Sequence, residues 1–72
     1  MNDEEILALC ALLGWTVRQE LSGYAIYSRP FRVGSQGDIT DRFVLARQYT
    51  LQDAFEFAQA YVARCPEHDP QP

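Results

Sequence analysis

Cys65-Pro66-Glu67-His68 sets a thiol and an imidazole three residues apart, the local pair in this chain with metal-ligand spacing. Structural zinc takes four ligands, usually as two such close pairs. The other cysteine, Cys10, lies far upstream, so the ligand set is short and no metal is expected. A Cys10–His68 nucleophile–base pair fails for a different reason. A reactive thiol must be exposed and have its pKa lowered, whereas Cys10 sits in an unbroken apolar run, where cysteine behaves as a small hydrophobe. Asp38 and Asp41 flank Ile39-Thr40 and can approach each other, but no pocket-forming chain surrounds them for acid–base work. They read as turn and solubility residues. Gly34 and Gly37 are followed by neither Lys-Ser/Thr nor a helix start, which excludes a phosphate loop. With no nucleophile–base pair, metal set or cofactor fingerprint, an enzyme is not expected, and neither is a cofactor.

The remaining chemistry is that of recognition. All six cations among the 72 residues are Arg, whose planar fork suits carboxylates, phosphates and aromatic faces, although a GC-rich genome produces the same bias. The net charge of −4 is unevenly spread. Residues 1–15 carry only Asp3, Glu4 and Glu5; residues 48–72 carry Asp53, Glu56, Glu67 and Asp69 against Arg64. Between them, Arg18, Arg29, Arg32, Arg42 and Arg47 outnumber Glu20, Asp38 and Asp41, so the middle of the chain is positive. The acidic total disfavours nonspecific attraction to nucleic acid or an anionic membrane. No stretch approaches the roughly 20 apolar residues of a membrane span, and MNDEE is acidic where a secretory signal is basic. The expected setting is cytoplasmic.

Positioning these side chains falls to a small set of elements. Asn2 and Glu5 form a capping-box pair, with Asp3, Glu4 and Glu5 filling a first turn that favours negative charge. The run Ile6–Leu13 contains no polar residue, and Gly14 is placed to stop the helix. A helix apolar nearly all round asks for burial on more than one side, against the second helix or another molecule. Next comes a hairpin centred on Ser22-Gly23, in which Trp15, Val17, Leu21, Tyr24 and Ile26 share an apolar face. Thr16, Arg18, Glu20, Ala25, Tyr27 and Arg29 share the other. Pro30 ends that strand or keeps it at an edge, and Gly34–Asp38 reads as a loop. A third strand opens at Ile39 or Arg42 and runs through Phe43-Val44-Leu45-Ala46-Arg47-Gln48, with Phe43, Leu45 and Arg47 inward and Arg42, Val44, Ala46 and Gln48 outward. Thr50 caps a second helix whose stripe is Leu51, Ala54, Phe55, Ala58, Val62 and Cys65. Phe57 and Tyr61 flank it, and Pro66 ends it.

The expected fold is therefore α+β: a helix, a three-stranded antiparallel meander and a helix (αβββα), with both helices on the sheet's single apolar face. Residues 1–66 form one domain and 67–72 a disordered tail. This element order resembles that of the double-stranded-RNA-binding domain. The resemblance implies phosphate contacts from a basic start to the second helix; here that start reads Thr50-Leu51-Gln52-Asp53, which carries no cation.

Arg18, Tyr27, Arg29, Arg42 and Val44 are the candidate interaction residues, on the outward sheet face. Tyr and Arg anchors inside a polar rim are the composition of a protein interface. The expected function is a non-enzymatic protein-interaction module, such as an adaptor, accessory subunit or inhibitor, with homo-oligomerisation through helix one as a possibility. The competing reading is a nucleic-acid-binding module using the five arginines Arg18, Arg29, Arg32, Arg42 and Arg47 for phosphate contacts and Tyr27 for stacking, or a small acidic phage-type inhibitor of a nucleic-acid-binding complex.

Overall fold

A computed structural model describes residues 1–33 and 39–69. The expected loop at 34–38 lies outside them, as do Asp38 and residues 70–72. The chain runs α1 (Asp3–Leu13), β1 (Thr16–Glu20), β2 (Gly23–Tyr27), β3 (Phe31–Val33), β4 (Ile39–Asp41), β5 (Val44–Gln48) and α2 (Leu51–Arg64), and a 3-10 turn at Pro66–His68 follows. This is an α+β fold with a three-stranded antiparallel sheet in the order β1-β2-β5 and a helix at each end. Between β2 and β5 the chain makes a second, two-stranded ribbon, β3 with β4, pairing Phe31 with Asp41 and Arg32 with Thr40. From sequence alone, Phe31-Arg32-Val33 reads as a short extension of the second strand, 34–38 as a loop, and Ile39 or Arg42 as the opening of the third strand. The ribbon corrects this reading.

Both helices begin as their caps dictate. Asn2 Oδ1 accepts from the Glu5 backbone N–H at 2.9 Å, and Glu5 Oε1 accepts from the Asn2 backbone N–H at 3.4 Å. Thr50 Oγ1 accepts from the Asp53 backbone N–H at 3.1 Å. Gly14 closes α1 in the left-handed region, φ +78°, where a side chain would be strained. These groups satisfy amides and carbonyls that a helix terminus leaves without internal partners.

The core gathers Ile6 and Cys10 from α1, Trp15, Ile26, Leu45 and Ala46 from the sheet region, and Leu51, Ala54, Phe55 and Ala58 from α2. Val17 and Tyr24 pack against it. In β1 and β2 these contributors alternate with outward residues, as strand geometry requires. Burial without a charged neighbour pushes the Cys10 thiol above its ordinary pKa.

Two register details differ from the sequence-based expectation. Glu20 pairs with Gly23, so the hairpin turns on Leu21-Ser22 and the pairing shifts by two residues. The faces survive an even shift, but Leu21 becomes a fully exposed turn residue instead of a core one. Gly23 opens β2 at φ +146°, and a Cβ there would fall 2.2 Å from the Gln48 carbonyl oxygen. In β5 the pairing with β2 shifts between Ile26 and Tyr27, an irregularity at Leu45 that lets Leu45 and Ala46 both enter the core. Beyond it the expected faces are exchanged. Ala46 joins the core, Gln48 pairs with Tyr24, and Arg47 pairs with Ala25 on the outward side.

The C-terminus is also corrected, because Glu67–Asp69 are folded onto the domain and not part of a tail. The indole N–H of Trp15 donates to Asp69 Oδ1 at 3.0 Å, and Asp69 is buried. His68 stacks on Phe43 with ring centres 4.3 Å apart, and Phe43 stacks in turn on Phe31 at 4.6 Å. The Tyr61 hydroxyl hydrogen-bonds His68 Nδ1. Ser28, fully buried, accepts from the Phe43 backbone N–H and donates to the Arg29 carbonyl, each at 2.9 Å. A buried indole needs an acceptor, and Asp69 supplies it.

Candidate functional site

The outward face of the three-stranded sheet is built from alternate residues of β1 (Thr16, Arg18 and Glu20) and β2 (Ala25 and Tyr27), and from Val44 and Arg47 of β5 on either side of its irregularity. Ala25 stands at its centre between its register partners Arg18 and Arg47. It is fully buried yet outside the core cluster. One row along, Tyr27 lies between Thr16 and Val44. Val44 is 39% exposed, a branched apolar side chain open to solvent beside a tyrosine ring.

The charges on this face are partly matched. Arg47 Nε reaches Glu20 Oε1 at 3.3 Å, and Arg47 Nη2 reaches the Tyr27 hydroxyl at 3.5 Å. The Tyr27 contact first, and Glu20 second, push the Arg47 pKa above its ordinary value, so the guanidinium stays charged. Both ionic side chains remain accessible, 58% for Arg47 and 35% for Glu20, so water screens the pair and it adds little to stability. Beyond Glu20 and Arg47 the face runs into an open groove of ≈ 270 Å³ at the hairpin tip, lined also by Tyr24, Gln48 and the exposed Tyr49.

No family model, curated protein or solved structure matches this chain.

Of the five residues singled out from sequence, the structure brings three together: Arg18, Tyr27 and Val44. Arg29 goes elsewhere. It leaves the strand beyond Tyr27, packs its stem over Gly14 and donates from Nε to the Leu13 carbonyl at the end of α1. Arg42 is exposed in the link between β4 and β5, where its backbone N–H donates to Asp41 Oδ1 at 2.8 Å. It belongs to neither strand. The residue missed is Arg47, assigned inward because strict alternation from Phe43 carries no signal for the irregularity at Leu45. An arginine on the apolar side of an otherwise clean strand was the clue.

Among the described residues no cluster of three or more His, Cys, Asp and Glu side chains could hold a metal ion. None of their helices is long and apolar enough to cross a membrane.

Proposed function

We propose that the chain is a non-enzymatic protein-interaction module whose partner sits on the outward sheet face. The observation that carries this reading is the arrangement around Ala25. A small, covered residue makes the centre of the face flat. Tyr27 and Val44 offer apolar and aromatic contact beside it, and Arg18, Arg47 and Glu20 form a hydrogen-bonding rim. Flat aromatic centres rimmed by arginine suit protein partners, because Tyr and Arg contribute large contact areas. Arg18 reaches solvent with no ion pair among the described residues, which favours a partner that brings a carboxylate to it.

The nucleic-acid reading draws less support. It needs several unpaired cations on one surface, but Arg29 serves the end of α1 and Arg47 shares Glu20. Arg32 lies on the separate β3–β4 ribbon, and Arg18 with the off-sheet Arg42 is too little to offset a net charge of −4.

The test is affinity capture from the native host on the immobilised chain, followed by titration of the captured protein against variants. Arg18→Glu and Val44→Asp each change an exposed side chain and leave the core alone. Both are expected to weaken binding by about tenfold or more while the far-ultraviolet circular dichroism stays unchanged. Partners that bind both variants as tightly as the parent would remove the sheet face from consideration. A salt-sensitive affinity for RNA or DNA would move the reading to nucleic acid.

A further inference from the structure

We propose that α1 is also a self-association surface, on which a second copy of this chain packs its own α1 antiparallel. Only one side of α1 is used by the fold: Ile6 and Cys10 are buried, with Leu9 and Leu13 packed beside them. Leu7, Ala8, Ala11 and Leu12 occupy the opposite side and are exposed, Leu12 to 80% and Leu7 to 46%. No polar residue interrupts that side between Glu5 and Gly14. A solvated helix ordinarily carries charge there.

The face is complementary to itself in shape and in charge. In an antiparallel pair centred between residues 9 and 10, Leu7 lies level with the partner's Leu12 on the opposite flank, and Ala8 level with the partner's Ala11 at the centre. Each contact is then repeated by the two-fold axis, as an isologous interface requires. The two alanines at the centre let the helix backbones approach, and the leucines close the flanks. The ends match as well. One end of α1 carries Asp3, Glu4 and Glu5, and its own last turn has no basic residue. Arg29, arriving from beyond β2, supplies a cation at that other end through its bond to the Leu13 carbonyl. Antiparallel packing brings each acidic first turn toward the partner's Arg29 and aligns the helix dipoles favourably. Parallel packing would instead set two acidic turns side by side.

An eleven-residue helix is only about 16 Å long, so the contact falls below the size of a permanent interface. The dimer is accordingly weak and concentration-dependent, with a dissociation constant in the micromolar range or above. No residue of the outward sheet face lies on α1, so this inference and the proposed function fail independently.

Sedimentation equilibrium of the full chain, from micromolar to millimolar concentration, reads the association directly. The expected result is a monomer–dimer equilibrium that Leu12→Glu shifts about tenfold or more toward monomer. Arg18→Glu leaves it unchanged. Orientation is read by oxidising a mixture of Ala8→Cys and Ala11→Cys chains, each also carrying Cys65→Ser. Antiparallel packing gives chiefly the mixed disulfide, whereas parallel packing gives the two like-with-like products. A chain that stays monomeric at every concentration, a dimer indifferent to Leu12→Glu, or a like-with-like cross-linking pattern each overturns the proposal.

Discussion

Two packed regions hold this domain together, and they are made in opposite ways. Beneath the sheet, Ile6, Cys10, Ile26, Leu45, Ala54 and Ala58 pack with hardly any surface left exposed and no hydrogen-bonding side chain among them. At the C-terminal end, aromatic contacts are joined by polar ties. Trp15 packs edge-on against Phe55 and hydrogen-bonds Asp69; Phe43 stacks on His68 and its backbone bonds Ser28. The aliphatic region depends on excluded water and shape, which are nondirectional. The second depends on specific partners arriving from distant positions in the chain. A domain of this size has a small core to begin with, and the C-terminal clasp widens it by placing aromatic rings where aliphatic residues are lacking.

That contrast predicts how each region breaks. The largest effect belongs to Ile26→Ala, which empties a fully buried site at the centre of the sheet and is expected to cost about 2–5 kcal/mol. In a chain of this length, urea denaturation should show most of the stability gone. A loss below that range would mean the clasp, and not the aliphatic core, carries the fold.

Gly23→Ala comes next. The forced positive φ alone costs about 1–3 kcal/mol, and the new methyl meets backbone at Gln48 and Tyr49, which cannot swing aside as a side chain would. The expected result is a destabilised variant whose hairpin amides exchange hydrogen faster than those of α2. Uniform exchange across both would show that β2 and β5 do not depend on this close approach.

The two regions also differ in how far the sequence discloses them. Helical spacing in Leu51, Ala54, Phe55 and Ala58 identifies the α2 stripe, and the Asn2–Glu5 and Thr50 caps mark where both helices begin. Alternation identifies Val17, Tyr24 and Ile26 as inner residues even though the turn is misplaced, because a shift of two keeps each side chain on its face. The clasp has no such periodicity. Glu67, His68 and Asp69 sit in a polar, proline-flanked stretch whose composition reads as tail, and nothing local reveals that Trp15 needs an acceptor for its indole N–H. The outward face fails at one point for a similar reason. The irregularity at Leu45 is set by pairing with β2, and it exchanges Ala46 with Arg47 on the solvent side. Arg29 is the remaining case, a strand-end arginine drawn from the sheet to cap a helix that lacks a cation of its own.

Asp69→Ala tests the clasp directly. It leaves the buried Trp15 N–H without its acceptor, for which about 1–3 kcal/mol is the usual cost. Trp15→Phe removes donor and need together, so combining it with Asp69→Ala should add less than the two single losses summed. Tryptophan fluorescence in the Asp69→Ala chain should shift as the indole changes partner. Additive losses would show that the Trp15–Asp69 bond is incidental and that the contacts of His68 with Phe43 and Tyr61 hold the 3-10 turn.

The smallest effect is expected at Glu20→Gln on the outward face. The carboxylate and the Arg47 guanidinium are accessible, screened and carried on flexible side chains, so losing the pair should leave the melting midpoint within the scatter of the measurement. A neutral amide in its place removes the charge that Arg47 shares while keeping an oxygen able to accept from its Nε, and the Tyr27 hydroxyl contact is untouched. If the face binds a partner that presents carboxylates, the variant should bind at least as tightly as the parent while folding equally well. A clear loss of stability would instead make Glu20–Arg47 a structural strut between β1 and β5 and take both residues out of the proposed binding face. Stability and recognition are separable only where charges stay wet, and among the side chains packed on this sheet that condition is met on the side bearing Arg18, Tyr27, Val44 and Arg47.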